Sequence, residues 1–350
     1  MTHSVRAAML YGPHDLRVVE RTLPILGPTD ALVRVGAAAI CGSDIKYWTE
    51  GRAGIYEMGS PFVLGHEGAG EVIAVGDSVT DLLPGTRVAI DPGRACRNCQ
   101  FCLAGKSNLC VNMKFLGSAS TVPPVNGLLS EMVLIDAWQC HPIPPTMTWE
   151  EAALVEPTAV AVHATQRSGQ VLGTRALVIG AGPIGLLLVQ VLRASGAAFI
   201  AVSDLLEDRC ARAVKCGADK AFVAAGNDTK GMLQAEGCDV VFEMSGAPAA
   251  HALALEVIRR GGTVVQVGSL PAHAIDIPGA AIMTKELNVL GSFRFSRAFD
   301  TALNLAASGR IHLAALESRR FRLDQVADAL ECAASGRALK VHISFGDASS

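Results

Sequence analysis

The chain has 350 residues and a formal charge of only −3, with half its residues hydrophobic and 18% charged, which excludes an electrostatic nucleic-acid footprint and a disordered acidic segment. This length favours about two domains, each with its own core. The apolar stretches 152–164 and 176–192 are broken by Glu156-Pro157 and by Gly180-Ala-Gly-Pro, so neither reads as a membrane span, and the expected partner is a small molecule.

The chain opens Met-Thr-His-Ser-Val-Arg, without an apolar leader pattern. Short β-type runs follow at 31–35, 70–75, 87–90 and 131–135, separated by turn clusters such as Leu83-Pro84-Gly85, and predict a β-rich first domain. Near residue 157 the pattern changes. Strands are predicted at 176–179, 199–203, 220–223, 240–243, 263–267 and 287–290, with helices at 185–194 and 207–216 between the first three. Strands alternating with helices imply a parallel α/β sheet. Helical patterns return at 298–308 and 323–335, and a last strand at 340–345 is placed to rejoin the first domain. There is no long-period repeat and no low-complexity segment.

Two clusters of metal-ligand residues stand in the first part. Cys96, Cys99 and Cys102, two residues apart, followed by Cys110, can present four thiolates to one tetrahedral ion. Such a shell is closed and serves shape. The alternative, disulfides, needs an oxidising compartment, whereas the absent leader and the scattered Cys140, Cys216 and Cys332 lead us to expect a cytoplasmic protein. Cys41, in Ile40-Cys-Gly-Ser-Asp44, and the pair His66-Glu67 form a mixed set that leaves room at zinc for water or an alcohol oxygen. Taken alone, they also read as a small core cysteine and a buried pair.

In the α/β part, Gly180-Ala-Gly182-Pro183-Ile184-Gly185 follows a predicted strand and opens a predicted helix, the context a dinucleotide loop requires. Gly180 would allow the tight turn, Gly182 the approach of a pyrophosphate and Gly185 close packing of helix on strand. Asp204, about 20 residues on, is placed to bind both hydroxyls of an adenosine ribose and to repel a 2′-phosphate, so the cofactor expected is NAD. The alternative for Asp204 is a helix cap. Arg209 either flanks the adenine or pairs with a nearby acid. An open zinc beside a nicotinamide implies alcohol oxidation, because the metal lowers the pKa of the alcohol.

Together, Gly65-His-Glu-x-x-Gly70-x5-Gly76-x-x-Val79, the cysteine lobe and the dinucleotide loop, in this order, resemble the zinc-containing medium-chain dehydrogenases over nearly the whole chain. Cys41-Gly-Ser-Asp44, Tyr47-Trp48, Val155-Glu-Pro157 and 291–295 resemble the polyol branch, the sorbitol and xylitol dehydrogenases. Residues 113–119, Gln139-Cys140 and 291–295 resemble, more narrowly, the bacterial L-idonate 5-dehydrogenases, which act on a sugar acid. The resemblance implies a GroES-like catalytic domain over 1–157, completed by 294–350, around a Rossmann NAD-binding domain over 158–293. It also implies one catalytic and one structural zinc and a homotetramer.

By the same resemblance the catalytic zinc is held by Cys41, His66 and a glutamate, either Glu67 or Glu156. Ser43 accepts the alcohol proton or caps a helix, and Tyr47 and Arg294 touch substrate hydroxyls. Arg294 also suits a sugar-acid carboxylate, or a structural ion pair. Pro183, Ile184, Val267 and Ser292 join the coenzyme contacts. One position departs from the pattern: Lys46 stands where the family commonly has a relay histidine, so the proton passes through Lys46, its pKa lowered by desolvation, or directly to water. The expected activity is oxidation of a secondary hydroxyl of a sugar acid or polyol by NAD. The rivals are a threonine-type or simple-alcohol dehydrogenase and a nucleotide-binding regulatory protein without turnover.

Overall fold

The computed structural model describes residues 3–224, 237–316 and 318–345. They form two compact units, one bounded by 1–156 with 316–350 and the other by 157–315. Residues 294–315, expected with the first unit, therefore belong to the second. The anchoring is visible at His312, whose amide donates to Gln190 Oε1 at 2.7 Å while Gln190 Nε2 donates to its carbonyl at 3.4 Å, fixing this segment to the helix Pro183–Ala194.

The first unit is built on a seven-stranded sheet centred on the strand Asp30–Ala39. One of its edges pairs antiparallel with Glu67–Val75, from Ala31 opposite Val75 to Ala39 opposite Glu67. Its other edge is shared: Met132–Asp136 takes the first half, and Lys340–Ser344 takes Ala37 to Ala39. This last strand is the one predicted to rejoin the first domain. Arg87–Ile90 and Cys140–Pro142 extend the sheet on one side, and Ser318–Arg322, parallel to Lys340–Ser344, on the other. Val33, Val35, Val72, Ile90, Val341 and Ile343 are almost fully buried within one core. A small sheet of Ser4–Gly12, Asp15–Thr22 and Phe62–Val63 was not predicted, since Asp15–Thr22 is an edge strand with no buried residue and offers no apolar alternation to read.

The second unit is a wholly parallel six-stranded sheet in the order Lys220–Val223, Phe199–Asp204, Arg175–Ile179, Val240–Glu243, Thr263–Gln266, Asn288–Gly291. All six strands were predicted; the four inner ones are short apolar runs mostly buried in the sheet, while Lys220–Val223 and Asn288–Gly291 at the edges have no buried residue. The chain runs outward from Arg175–Ile179 to one edge and then crosses back to Val240–Glu243. The strand order thus reverses between these two, and ligands bind in such sheets outside the carboxyl ends of the strands at that point. No described helix is long and apolar enough to cross a membrane.

Candidate metal centres and coenzyme loop

Cys41 is the N-cap of the helix Gly42–Glu50. Asp44, fully buried in the first turn, accepts from the Cys41 amide at 2.9 Å and from the Gly65 amide at 3.1 Å. The same carboxylate thus fixes the backbone on both sides of the cluster. Asp44 Oδ1 also faces His66 Nδ1 at 3.7 Å, which directs Nε2 towards Ser43, whose hydroxyl lies 3.5 Å away. A carboxylate behind a histidine in this way orients and strengthens a metal-ligating imidazole.

The donor atoms of Cys41, His66 and Glu67 all lie within 4.8 Å of one another. Burial alone would lower the pKa of His66, but Asp44, Cys41 and Glu156 carry it up to about 10. Thiol, imidazole and carboxylate are the donors zinc takes. The residues present fit the ion. Glu67 is buried and forms an ion pair with Lys340 of the last strand, also buried. Burial opposes the charge on Lys340, but Glu67 and Cys41 outweigh it and raise its pKa. Glu156, in the first turn of the helix Val155–Arg167, is buried beside this group without joining the three clustered donors, and burial pushes its carboxyl up to about 8.

Cys96, Cys99, Cys102 and Cys110 form the second cluster, with all four sulfurs within 4.8 Å of one another. No disulfide joins them. Cys110 Sγ accepts from the Cys96 amide at 3.2 Å and the Asn112 amide at 3.4 Å, and backbone amides of Cys102 and Val111 help hold Cys99 down at about 6. Amides aimed at sulfur stabilise thiolates, so this lobe also fits a zinc ion, here with no position left open.

In the second unit the glycine loop joins the strand Arg175–Ile179 to the helix Pro183–Ala194. Gly180 has φ +104, and a Cβ on Gly185 would lie 2.0 Å from the Gly180 carbonyl oxygen, so both positions demand glycine. Gly182 caps the helix and Pro183 starts it; a Cβ on Gly182 would meet nothing within 4 Å, which leaves open the space a pyrophosphate needs. Asp204 ends the next strand. Its Oδ2 accepts from the Ala181 amide at 2.7 Å and its Oδ1 from the Leu206 amide at 3.0 Å, and Arg209 stands 3.9 Å away. Asp204 therefore braces the glycine loop and the turn that follows its own strand, while the N-cap of the helix Glu207–Lys215 is Leu206 with no side-chain cap, so the cap alternative is corrected.

Other expected site residues divide. Val267 donates its amide to the Glu243 carbonyl at 2.9 Å and Ser292 its amide to the Gln266 carbonyl at 2.9 Å, both at the carboxyl ends of strands; Ile184 lies partly buried in the first turn of the loop helix. Arg294 adopts φ +51 with its guanidinium 4.9 Å from the Phe293 ring. Two expectations need correction. Lys46 is exposed on the helix Gly42–Glu50, so the desolvation expected to act on it is not there. Tyr47 is 2% exposed, packs edge-on against Phe62 and accepts from the Ala119 amide at 3.1 Å, so it builds the core of this unit rather than offering its hydroxyl to a ligand.

Sequence reasoning gave no role to Asp44 or Lys340. Asp44 was within the quoted cysteine motif, and a capping carboxylate three residues after Cys41 was the available signal. Lys340 had a fainter one, a lysine that opens a terminal strand, Lys340–Ser344, whose residues are nearly all buried.

Comparison with known proteins agrees with this architecture. The family described as alcohol dehydrogenase GroES-like domain matches residues 27–145, and that described as zinc-binding dehydrogenase matches residues 183–308. Sorbitol dehydrogenase of Macaca fascicularis is 37% identical over 342 residues, 95% of this chain and 94% of that protein. The crystal structure of L-idonate 5-dehydrogenase from Escherichia coli superposes with a TM-score of 0.93 at 33% identity, covering 99% of each chain. A protein from Sinorhizobium meliloti described as a zinc-binding dehydrogenase, solved bound to NADP, superposes with a TM-score of 0.89 at 31% identity over 98% of this chain and 99% of that one.

Proposed function

Because the chain belongs to the zinc-binding alcohol dehydrogenase family, in its polyol branch, we propose that it oxidises a secondary hydroxyl of a sugar acid or polyol to a ketone with NAD as hydride acceptor. The observation that carries this reading is the close grouping of the Cys41, His66 and Glu67 donor atoms, all within 4.8 Å of one another. These three would hold the catalytic metal, with Cys96, Cys99, Cys102 and Cys110 holding a structural one. Bound at the mixed site, zinc would supply the Lewis acidity that brings an alcohol's pKa towards neutrality.

The chain's own groups supply the rest. Asp44 keeps His66 turned so that Nε2 is the donor, and Lys340 fixes one oxygen of Glu67 while the other remains free. We assign Glu67 as the third ligand on this clustering, and Glu156 as a neighbouring carboxyl that holds its proton near neutral pH. Ser43, against His66, takes the hydroxyl proton and passes it to water, since Lys46 is exposed. The carbinol hydrogen leaves as hydride. Gly180, Gly182, Gly185 and Asp204 would bind the coenzyme, with Arg209, Val267 and Ser292 completing the set, and the carboxylate of Asp204 favours NAD over NADP.

Within the substrate class, the sugar acid is our preferred reading, supported by likeness to the L-idonate enzyme and by Arg294, whose guanidinium would suit a carboxylate. The likeness to sorbitol dehydrogenase supports a neutral polyol as the second reading. The zinc-loaded protein should reduce NAD with L-idonate at a higher kcat/KM than with sorbitol or xylitol, and Arg294→Ala should remove that preference. Equal loss on acids and neutral polyols would discard the sugar-acid reading, and no NAD reduction with any of them would leave a nucleotide-binding protein without turnover. We also propose a homotetramer, as in the resembling family, which sedimentation equilibrium would test.

A further inference from the structure

Glu243 ends the strand Val240–Glu243 and is fully buried, yet among the described residues no lysine or arginine pairs with it. Its Oε1 accepts from the Ser245 amide at 2.7 Å and from the Ser245 hydroxyl, and its two oxygens accept from the Gly246 amide at 3.1 and 3.0 Å. Its Oε2 also accepts from Gln266 Nε2 at 2.6 Å. Gln266 in turn donates to the Gly268 carbonyl at 2.7 Å and meets His251 Nδ1 at 2.6 Å through Oε1. The Glu243 carbonyl takes the amides of Val267 and Gly268, both at 2.9 Å. One residue therefore ties together the turns that follow two neighbouring strands.

A carboxyl group buried among dipoles alone costs stability compared with an apolar side chain, so its presence calls for a return in shape. The shape is found at the point where the strand order reverses. Glu243 lies opposite Ile179 in the sheet, and a Cβ on Gly180 would stand 3.1 Å from the Ser245 nitrogen, so the turn held by Glu243 is pressed against the glycine loop. The turns themselves are equally close, since a Cβ on Gly268 would lie 2.1 Å from the Gly246 nitrogen and 2.8 Å from Glu243 Oε2. In a doubly wound sheet, the three strands on this side of the reversal serve the second mononucleotide half, the one carrying the nicotinamide.

We propose that Glu243 is a positioning residue for the nicotinamide half of the coenzyme, holding the turns 245–247 and 267–268 as one rigid wall of the crevice. The assignment rests on the coenzyme reading above. Glu243→Gln keeps the size of the side chain but sets an amide NH2 against the donors of Ser245, Gly246 or Gln266. Fluorescence titration of the zinc-loaded enzyme with NADH should then show roughly tenfold weaker binding, while AMP, a probe of the other half, should compete with a Kd within about twofold of the unaltered protein.

The control is Asp239→Asn at the other end of the same strand, where the carboxylate accepts from the Arg175 amide at 2.7 Å and from Arg259 Nε at 2.6 Å. It should lower Tm yet leave the NADH Kd unchanged. Should Glu243→Gln fail to fold, Ser245→Ala, which removes only the hydroxyl contact, should weaken NADH about threefold and spare AMP. Unchanged NADH binding in the variant that folds, parallel loss of AMP and NADH, or an equal effect of Asp239→Asn would overturn the assignment. No NADH binding by the unaltered holoenzyme would instead sink the coenzyme reading, and this assignment with it.

Discussion

Lys340 and Glu67 are a matched pair of charges with almost no access to water, and such a pair is fragile because removing one member strands the other. Lys340→Met should lower the free energy of unfolding by about 3–5 kcal/mol in urea titrations, and Lys340→Met combined with Glu67→Gln should recover much of that loss while turnover stays absent. A second buried group on the same strand makes stability depend on pH. His342 is fully buried, and desolvation, helped by the positive charges of Lys340 and Arg320, holds its pKa down at about 3. Below its ordinary value of 6.5 the unfolded chain binds a proton that the folded chain refuses, so stability present at pH 7 drains away as the pH falls. Between pH 6.5 and 5 this one group should remove about 1.6 kcal/mol, and His342→Leu should lack that component in unfolding curves measured at both pH values. At this scale the sequence spoke through chemistry that only a few residue types perform. Cys41, His66 and the four lobe cysteines were legible as clusters because thiol and imidazole groups are few and their spacing is restrictive. Tyr47 and Lys46 were misplaced because motif position does not reveal which way a side chain faces on a helix.

Secondary-structure elements convert those identities into geometry. The helix Gly42–Glu50 delivers Cys41 at its amino end, and the parallel sheet delivers Gly180, Asp204 and Glu243 to the same end of successive strands. Asp204 serves two neighbours at once, the Ala181 and Leu206 amides. Asp204→Ala should therefore narrow the ratio of kcat/KM between NAD and NADP and also loosen the loop, raising the KM for both coenzymes; a variant that keeps the unaltered ratio would reduce Asp204 to a brace. The cysteine lobe is a short segment with little regular structure of its own, a four-residue helix and a single 3-10 turn. On the structural-metal reading proposed above, an ion held by the four cysteines would supply the order that the short helix and turn do not. Cys99→Ser should leave one zinc per chain by elemental analysis in place of two, with a lower Tm and faster proteolysis within 96–110, while activity measured well below the Tm persists. The apolar runs revealed these elements most directly where burial was two-sided, as in the inner parallel strands such as Arg175–Ile179 and Val240–Glu243. They failed at the edge strand Asp15–Thr22, because residues half open to water carry no pattern.

At the scale of the whole chain, the two units differ in how sequence maps onto space. The second is one continuous stretch, 157–315, whereas the first is assembled from both ends of the chain. The return of the terminal strand was readable, since an apolar run after the last helix must pair somewhere. The boundary at 315 was not, because the bonds between His312 and Gln190 join residues far apart in sequence that no local pattern connects.

That return has a consequence for how the molecule matures. A chain emerging from the ribosome exposes Cys41, His66 and Glu67 early, but the lysine that balances Glu67 and the strand that completes the edge beside Ala39 come from its final residues. The coenzyme-binding half, being contiguous, is free to fold while synthesis continues. The early half must wait with a sheet edge unpaired and a cluster of donors uncompensated, until a contact of very long sequence separation closes it. The site we assign to the catalytic metal is thus encoded early, and its charge balance and sheet edge are completed only when the strand Lys340–Ser344 pairs.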